Sequence, residues 1–357
     1  MSKHRRKSRK KTHGVMTPKN AVALNRSPYQ SADIAAGFPP TAAEDLVFHG
    51  GKTIAALVYT NLYLGGAAAW PGSDQANIDR ALEAAMNDAG LNNVMQQYFP
   101  AQPITAAFRV SPALTAAIKP QMSRADLETL IKKLHKSGTF SAFVLSSTAF
   151  NFILPKGIVL TTDFVKTSAK THRTRRPKKP KHPKLADSAD SSLDGLAGYH
   201  GSVKFTKPAK AKVYYTICAY SEGTNGVVAF DQPWKNIVAT LYHELQEVRT
   251  DPDVEEAIKA GATTRALKLL GWVSASGNEV GDLPMSEAGH DLGKAMVEVP
   301  LAGGGGTVPV QLMYSNRVHG PEGPVGPVVP VVPVVPVVPV VPVVPVVPVV
   351  PVVAKAA

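Results

Sequence analysis

The sequence has almost no cysteine, since Cys218 is the only one among its 357 residues. A lone thiol cannot form an intramolecular disulfide, so the fold must be stabilised by side-chain packing or by a bound ion. Cys218 stands in the middle of the stretch "YYTICAY", which predicts a buried core thiol rather than a nucleophile. The cysteine content therefore excludes an intramolecularly disulfide-stabilised scaffold.

Long uninterrupted hydrophobic runs are also missing. The most apolar stretch, "GKTIAALVYTNLYLGGAAAWPG", is broken by Asn61, Gly65 and Gly66, so it predicts strand and turn rather than a membrane span. Polar residues and proline interrupt each apolar stretch that follows the early positive charges, and we expect no conventional signal peptide. The hydrophobic content of 44% is nevertheless sufficient for a globular core.

Acidic residues are absent from two segments, and these two segments carry the whole positive excess. Seven Lys or Arg lie within residues 3–11 and nine lie within residues 166–184. Without these 16, 23 of the 39 basic residues remain, against 27 acidic ones, so the rest of the chain is slightly acidic. The composition of both segments predicts disorder and unspecific binding to polyanions. A basic nucleic-acid-associated protein is therefore one alternative, although no aromatic residues are interleaved for stacking on bases.

These features predict one α/β domain with three disordered parts. Residues 1–40 form a basic, proline-punctuated arm, and residues 166–192 form a basic linker inserted into a domain that spans residues 41–325. Residues 326–357 form a tail of Pro-Val-Val repeats, and proline at every third position favours polyproline II. We interpret the tail as a semi-rigid spacer.

Hydrophobic spacing predicts the elements of the domain. Helical spacing is present in "SDQANIDRALEAAMNDAG" and in "SRADLETLIKKLHKSG", where Ser123 is placed to cap the helix and Asp126 follows three residues on. The stretches "FSAFVLSSTAFNFILPKGIVL" and "KVYYTICAYS" are typical of strands. A long helix is predicted over residues 234–250, and its buried stripe is formed by Trp234, Ile237, Val238, Leu241, Leu245 and Val248.

This long helix carries the motif "HELQE", which differs by one residue from the H-E-x-x-H signature of zinc hydrolases. His243 and Glu247 are four residues apart, so they project from one face and are spaced to bind one ion. Zinc accepts carboxylate oxygen as well as imidazole nitrogen, which makes both residues candidate ligands and makes Glu244 the candidate general base. The alternative is that these residues, with Gln246 and Arg249, form the solvated side of an amphipathic helix.

Carboxylates further along the chain favour a metal site. Glu279 and Asp282 lie in "GWVSASGNEVGDLP", which we interpret as a glycine-bounded loop that turns back toward the helix and adds ligands. His200 in "GYHG" is a less favoured ligand, because a histidine in a glycine turn is more often structural. The predicted cofactor is Zn²⁺ or another divalent metal.

The motifs together resemble those of the EXORDIUM-like, phosphate-induced protein family and its bacterial relatives. "YHELQEVRTDP" followed by "GNEVGDL" is similar to the family's "HELxE…TNP/TDP…EI(A/G)DLC" core. "GYHGSVKF…VYYTICAYSEG" and "GGGGTVPVQLMYSN" resemble its upstream strand and its final strand, so the similarity spans residues 45–325 apart from the basic linker. The chain departs from the family at Pro284, where the family often has cysteine, and at Leu196 and Ala197 before "GYHG".

The resemblance implies an extracellular protein with a degenerate metallopeptidase-like site. With the helix motif, it predicts an α/β (α+β) fold that is zincin-like, with a mixed sheet backed by a long active-site-type helix. We expect a metal-dependent, peptidase-like hydrolase acting on a peptide or wall polymer. The alternative is a non-catalytic extracellular or wall-associated binding protein.

Overall fold

A computed structural model describes seven parts of the chain, which are residues 32–110, 114, 118–162, 190–207, 210–261, 263–302 and 304–325. The basic segments at residues 3–11 and 166–184 and the Pro-Val-Val tail lie outside these parts. Within them, no helix is both long and apolar enough to cross a membrane.

The strands of the described residues are, in chain order, β1 (Val47–Phe48), β2 (Ala56–Tyr63), β3 (Thr105–Phe108), β4 (Gln121–Ser123), β5 (Thr148–Ile153), β6 (Val159–Thr161), β7 (Gly198–Phe205), β8 (Ala211–Cys218), β9 (Trp272–Val273), β10 (Met296–Pro300), β11 (Thr307–Gln311), β12 (Met313–Ser315) and β13 (Gly320–Glu322). The α-helices are α1 (Asp74–Asn87), α2 (Asn93–Gln96), α3 (Arg124–Lys136), α4 (Pro233–Thr250), α5 (Val254–Ala260), α6 (Thr264–Leu267) and α7 (Asp282–Ala288).

Five strands form a mixed sheet in the order β3-β2-β5-β8-β7. The first four run parallel, and β7 pairs antiparallel with β8 at the edge. Smaller two-stranded sheets join β1 to β9, β4 to β6, β10 to β11 and β12 to β13. The fold is therefore a mixed α/β arrangement, as the sequence predicted.

The sheet separates two hydrophobic clusters, because successive side chains of a strand point to opposite faces. Ala149 and Ile153 of β5 belong to the cluster shared with α1 and α4, whereas Phe150 and Phe152 belong to the cluster shared with α3. Cys218 is fully buried in the first cluster, which confirms the prediction of a core thiol. Both faces of the sheet are thus covered.

Helix α3 begins where the sequence places its cap. The Ser123 hydroxyl accepts a hydrogen bond from the backbone N–H of Asp126, and the Asp126 carboxylate accepts one from the backbone N–H of Ser123. This reciprocal pair satisfies two backbone donors that a helix start leaves without partners. Leu127 and Ile131 then face the sheet and are fully buried.

Helix α4 begins with Pro233 at its first position, where a missing backbone N–H has no cost, and Pro252 follows its end. It contacts β7, β8, α1 and β11. As a result its polar residues are buried too, including Glu244, Glu247 and Arg249. The interpretation of these residues as a solvated side is therefore wrong, because tertiary packing covers the helix all round.

Two predicted domain boundaries need correction. The sequence places residues 32–40 in the arm, whereas in the structure Ile34 forms a β-bridge with Glu322 and Phe38 is buried. The predicted linker ends at residue 192, yet Ser192 is buried and accepts a hydrogen bond from the backbone N–H of Leu160. Residues 32–40 and Ser192 therefore belong to the folded domain. Their apolar and hydrogen-bonding contacts cannot be recognised from composition alone.

Candidate metal centre

His200 reaches helix α4 from the edge strand β7. It lies opposite Thr216 of β8, and the same cross-strand row continues through Asn151 of β5 and Asn61 of β2. Thr216 donates to Asn151, and Asn151 donates to Asn61, so a buried polar row crosses the sheet. His200 ends this row. The pairing of β7 with β8 fixes the position of His200. The interpretation of His200 as a histidine in a glycine turn is therefore wrong, because the residue lies within a strand.

His243 and Glu247 meet on one face of α4, as their spacing predicted. Nε2 of His243 lies 3.1 Å from Oε2 of Glu247 and 3.9 Å from Oε1 of Glu244. The two residues are one helical turn apart, which brings their side chains together without any contribution from the rest of the fold. The helix period therefore accounts for the contact between these two side chains.

The second histidine joins the same carboxylates from the sheet. Nδ1 of His200 lies 3.3 Å from Oε2 of Glu244 and 3.5 Å from Oε2 of Glu247. Its Nε2 lies 3.2 Å from the backbone oxygen of Asp251 at the end of α4. The Glu247 carboxylate therefore lies between two imidazole rings that come from different elements.

Two groups of side chains in the described residues have ligand atoms within 4.8 Å of one another. One consists of His200, Glu244 and Glu247, and the other consists of His243, Glu247 and Asp282. Imidazole nitrogen and carboxylate oxygen are ligands that zinc and other divalent ions accept. The donor set therefore fits a divalent cation, and Glu247 is common to both groups.

Glu279 and Asp282 both reach the site, but in different ways. Asp282 is the first residue of α7 rather than part of a loop, and its carboxylate accepts the backbone N–H of Glu279. Glu279 belongs to neither group of ligand atoms. Its Oε1 lies 3.5 Å from Nε2 of His200 and has no hydrogen-bond partner, although the residue is only 6% exposed. Glu279 thus lies beside His200 without joining either ligand group.

Gln311 of β11 orients His243. Its Nε2 donates to the backbone oxygen of Gly281 at 2.6 Å, which leaves its Oε1 to accept at 2.9 Å from Nδ1 of His243. A proton on Nδ1 leaves the lone pair of a neutral imidazole on Nε2, the nitrogen that faces Glu247. Fixing the tautomer of a metal-binding histidine in this way is the usual role of a supporting hydrogen bond.

Gly281 allows the loop before α7 to approach these ligands closely. A Cβ at this position would collide with the imidazole of His243 and would lie 3.0 Å from Oε1 of Glu247. The backbone N–H of Gly281 also donates to that Oε1 at 3.2 Å. The absence of a side chain is therefore a condition for the observed arrangement.

The surrounding carboxylates raise the pKa of both histidines. Burial is the largest single influence on His243 and would lower its pKa, but the carboxylates of Glu247, Glu244 and Asp282 together outweigh burial and raise the pKa to about 10. Burial also opposes the charged form of His200, but Glu279, Glu244 and Glu247 together hold the pKa of this imidazole well above its ordinary value. Burial favours neutral Glu247, yet His243 and His200 together hold the pKa of this carboxyl well below its usual range.

The two histidines do not supply enough positive charge to keep every carboxyl group of the centre ionised. Burial, together with the charge of Glu247, raises the pKa of Asp282 to about 6. Burial raises the pKa of Asp251 to about 7 and that of Glu279 well above its ordinary value. Buried carboxyls take up protons when opposite charge is lacking. A divalent cation would supply the opposite charge that these carboxyls lack.

Two cavities border the centre, and both are lined by Gly198, His243 and Glu244. One has a volume of about 220 Å³ and further apolar walls that include Met285 and Met296. The other has a volume of about 180 Å³ and charged walls made by Arg124, Glu255, Glu279 and Asp282. A molecule that enters either cavity therefore contacts Glu244 beside the candidate ligands.

Sequence reasoning did not identify Gln311 or Gly281, and it ranked His200 below the other ligands. Nothing in the letters around Gln311 distinguishes it from an ordinary strand residue. The position of His200 could have been recognised from the sequence, because "GYHGSVKF" and the following "KVYYTIC" are both compatible with strands that pair antiparallel.

The chain was compared with protein-family models, curated proteins and solved structures. No family model matches the chain, and comparison with curated proteins and with solved structures also found no match.

Proposed function

We propose that this protein is a metal-dependent hydrolase with a peptidase-like, zincin-like centre. The observation that carries the proposal is the meeting of half-buried His243 and Asp282 with buried Glu247, while Gln311 holds the tautomer of the histidine. An ordinary amphipathic helix has no need for these supporting contacts. The resemblance of the sequence motifs to those of the EXORDIUM-like family also implies a metallopeptidase-like site.

The ligands we assign are His243, Glu247 and Asp282, because this set leaves Glu244 free for a second role. A divalent ion such as Zn²⁺ would polarise a substrate carbonyl and make a nearby water more acidic. One imidazole and two carboxylates would balance the charge of such an ion and are chemically admissible ligands for zinc.

Glu244 is assigned as the general base. Its Oε1 lies 3.9 Å from the ligand nitrogen of His243, and its side chain lines both cavities. A carboxylate in this position accepts a proton from the attacking water and returns it to the leaving group. His200 holds the other oxygen of Glu244 at 3.3 Å and so orients the carboxylate.

A second candidate is a non-catalytic binding protein in which the ion is structural. The low exposure of Glu244 and Glu247, 4% and 3%, favours this alternative, because structural metal sites are closed whereas catalytic ones keep an open position. The cavities beside His243 favour the hydrolase.

Elemental analysis of the purified native protein tests the proposal. We expect about one equivalent of a divalent transition metal, and cleavage of members of a broad peptide library that stops after chelation. His243→Ala should lose the metal, whereas His290→Ala, which changes an exposed histidine, should retain it. A folded wild-type protein without metal would end the hydrolase proposal, and a metal-loaded protein that cleaves nothing would favour the binding protein.

A further inference from the structure

A separate cavity lies on another side of α4, next to α1. It has a volume of about 450 Å³, which is within the range of small-molecule sites, roughly 300–1,000 Å³. Its lining includes Met86, Asp88, Ile104, Ala106 and Arg249. None of the described residues that line it belongs to the candidate metal centre. We call it the Arg249 cavity.

Arg249 is a buried cation without a counter-charge. It is 1% exposed, and among the described residues it takes part in no ion pair. Burial lowers its pKa to about 10, so the guanidinium remains charged near neutral pH. A buried charge that lacks a partner is costly, and native proteins normally pair such a charge with an anion.

The hydrogen bonds of Arg249 leave part of its guanidinium without a partner. Nη1 donates to the backbone oxygens of Ala55 and Thr105 at 2.7 and 3.1 Å, which uses both of its hydrogens. Nε has no hydrogen-bond partner. A guanidinium can bind a carboxylate through two parallel hydrogen bonds that are donated by Nε and Nη2.

The walls of the cavity limit the charge and size of the ligand. Arg249 is the one cation among the described lining residues, and the acidic member, Asp88, already accepts the backbone N–H groups of Leu91 and Ala302. Asp88 is thus engaged elsewhere, and a ligand with one negative charge would give Arg249 the ion-pair partner it lacks, whereas a phosphate dianion would add a second negative charge beside Asp88. The apolar walls, such as Ile104, suit a short hydrocarbon part.

We propose that the Arg249 cavity binds a small monocarboxylate, with the carboxylate paired to Arg249 and the apolar part against Ile104 and Ala106. Two sources share this chemistry, namely a free short-chain acid and the C-terminal carboxylate of a peptide. The proposal is independent of the hydrolase assignment, since the metal centre shares none of these residues.

Calorimetric titration of the full chain tests the binding. The probes are isobutyrate, uncharged isobutyramide, inorganic phosphate, and a short peptide with either a free or an amidated C-terminus. Isobutyrate should bind at least about tenfold more tightly than isobutyramide, because losing a charge-assisted hydrogen bond costs on the order of a factor of ten. Tighter binding of the free-acid peptide than of isobutyrate identifies a polypeptide end as the ligand, and the reverse order identifies a free acid.

Two variants locate the binding. Ala106→Trp fills the cavity and should abolish isobutyrate binding, whereas Ala107→Trp, at the exposed next position of β3, should leave it unchanged. Arg249→Met should weaken isobutyrate binding at least about tenfold, with circular dichroism to establish that it folds. The proposal is overturned if isobutyrate does not bind, if the amide or phosphate binds as tightly, or if Ala106→Trp binds like the wild type.

Discussion

Oε2 of Glu247 lies 3.1 Å from Nε2 of His243 and 3.5 Å from Nδ1 of His200. Because His243 comes from the same helix and His200 from the edge strand, this carboxylate connects the two histidines of the candidate centre. The consequences of replacing Glu247 should therefore differ from those of replacing its neighbour Glu244.

Glu247→Gln should lose the metal, whereas Glu244→Gln should retain the metal and lose turnover. The carboxylate of Glu247 belongs to both ligand groups and supplies charge that an amide cannot supply. A general base contributes about 10²–10⁴-fold to the rate, so the Glu244 variant should lose activity by this factor. Metal content and peptide hydrolysis are measured on the same samples.

Equal metal loss in these two variants would contradict the assigned roles and would make the group of His200, Glu244 and Glu247 the better ligand set. Glu279→Gln is the matched control, because Glu279 lies beside His200 and outside both groups. We expect it to reduce metal retention less than Glu247→Gln does.

Gly281→Ala should weaken metal binding about 10–100-fold, although it removes no ligand, because disturbing a supporting contact has this effect in metal sites. The added methyl group collides with the imidazole of His243 and displaces it from Gln311. Titration of the metal-free protein with zinc in the presence of a competing chelator measures the affinity.

The control for this variant is Gly323→Ala, whose added Cβ meets no heavy atom within 4 Å. It should bind zinc like the wild type. Unchanged zinc affinity in Gly281→Ala would show that His243 is not a ligand.

Deleting residues 1–31 and 166–186 should abolish binding to heparin and change thermal stability little. The sequence of these segments contains the positive excess and few residues to bury. The first deletion ends before Ile34, which pairs with Glu322 in the folded part. Retention on a heparin column at increasing salt is the measurement.

Deletion of residues 326–357 is the control, since this tail has a single basic residue, Lys355. It should leave heparin retention unchanged. If the double deletion is retained as strongly as the full chain, the polyanion-binding surface lies in the folded part.

Ser123→Ala should lower the free energy of unfolding by about 1 kcal/mol, the usual effect of losing a helix cap. The hydroxyl accepts the backbone N–H of Asp126 and donates to its carboxylate at 2.9 Å. Urea denaturation compares this variant with Ser141→Ala, an exposed serine whose replacement should change stability by less than about 0.5 kcal/mol. Equal effects would show that the cap contributes nothing.

Much of the local structure follows from sequence spacing. The cap at Ser123 and the meeting of His243 with Glu247 depend only on residues within one helical turn. Such contacts follow from the helix period, so a sequence with the right spacing is sufficient to predict them. The burial of Cys218 likewise follows from its place in an apolar strand.

The remainder of the centre depends on contacts between distant parts of the chain. The sequence by itself determined the α/β elements, the long helix and the pair of His243 and Glu247. Only the tertiary structure brought His200 to Glu247 through strand pairing, placed Gln311 behind His243, and buried Glu244 on a helix side that looks solvated in isolation. The reason is that helical neighbours are fixed by the helix period, whereas neighbours across strands and loops depend on register and packing that no local pattern specifies.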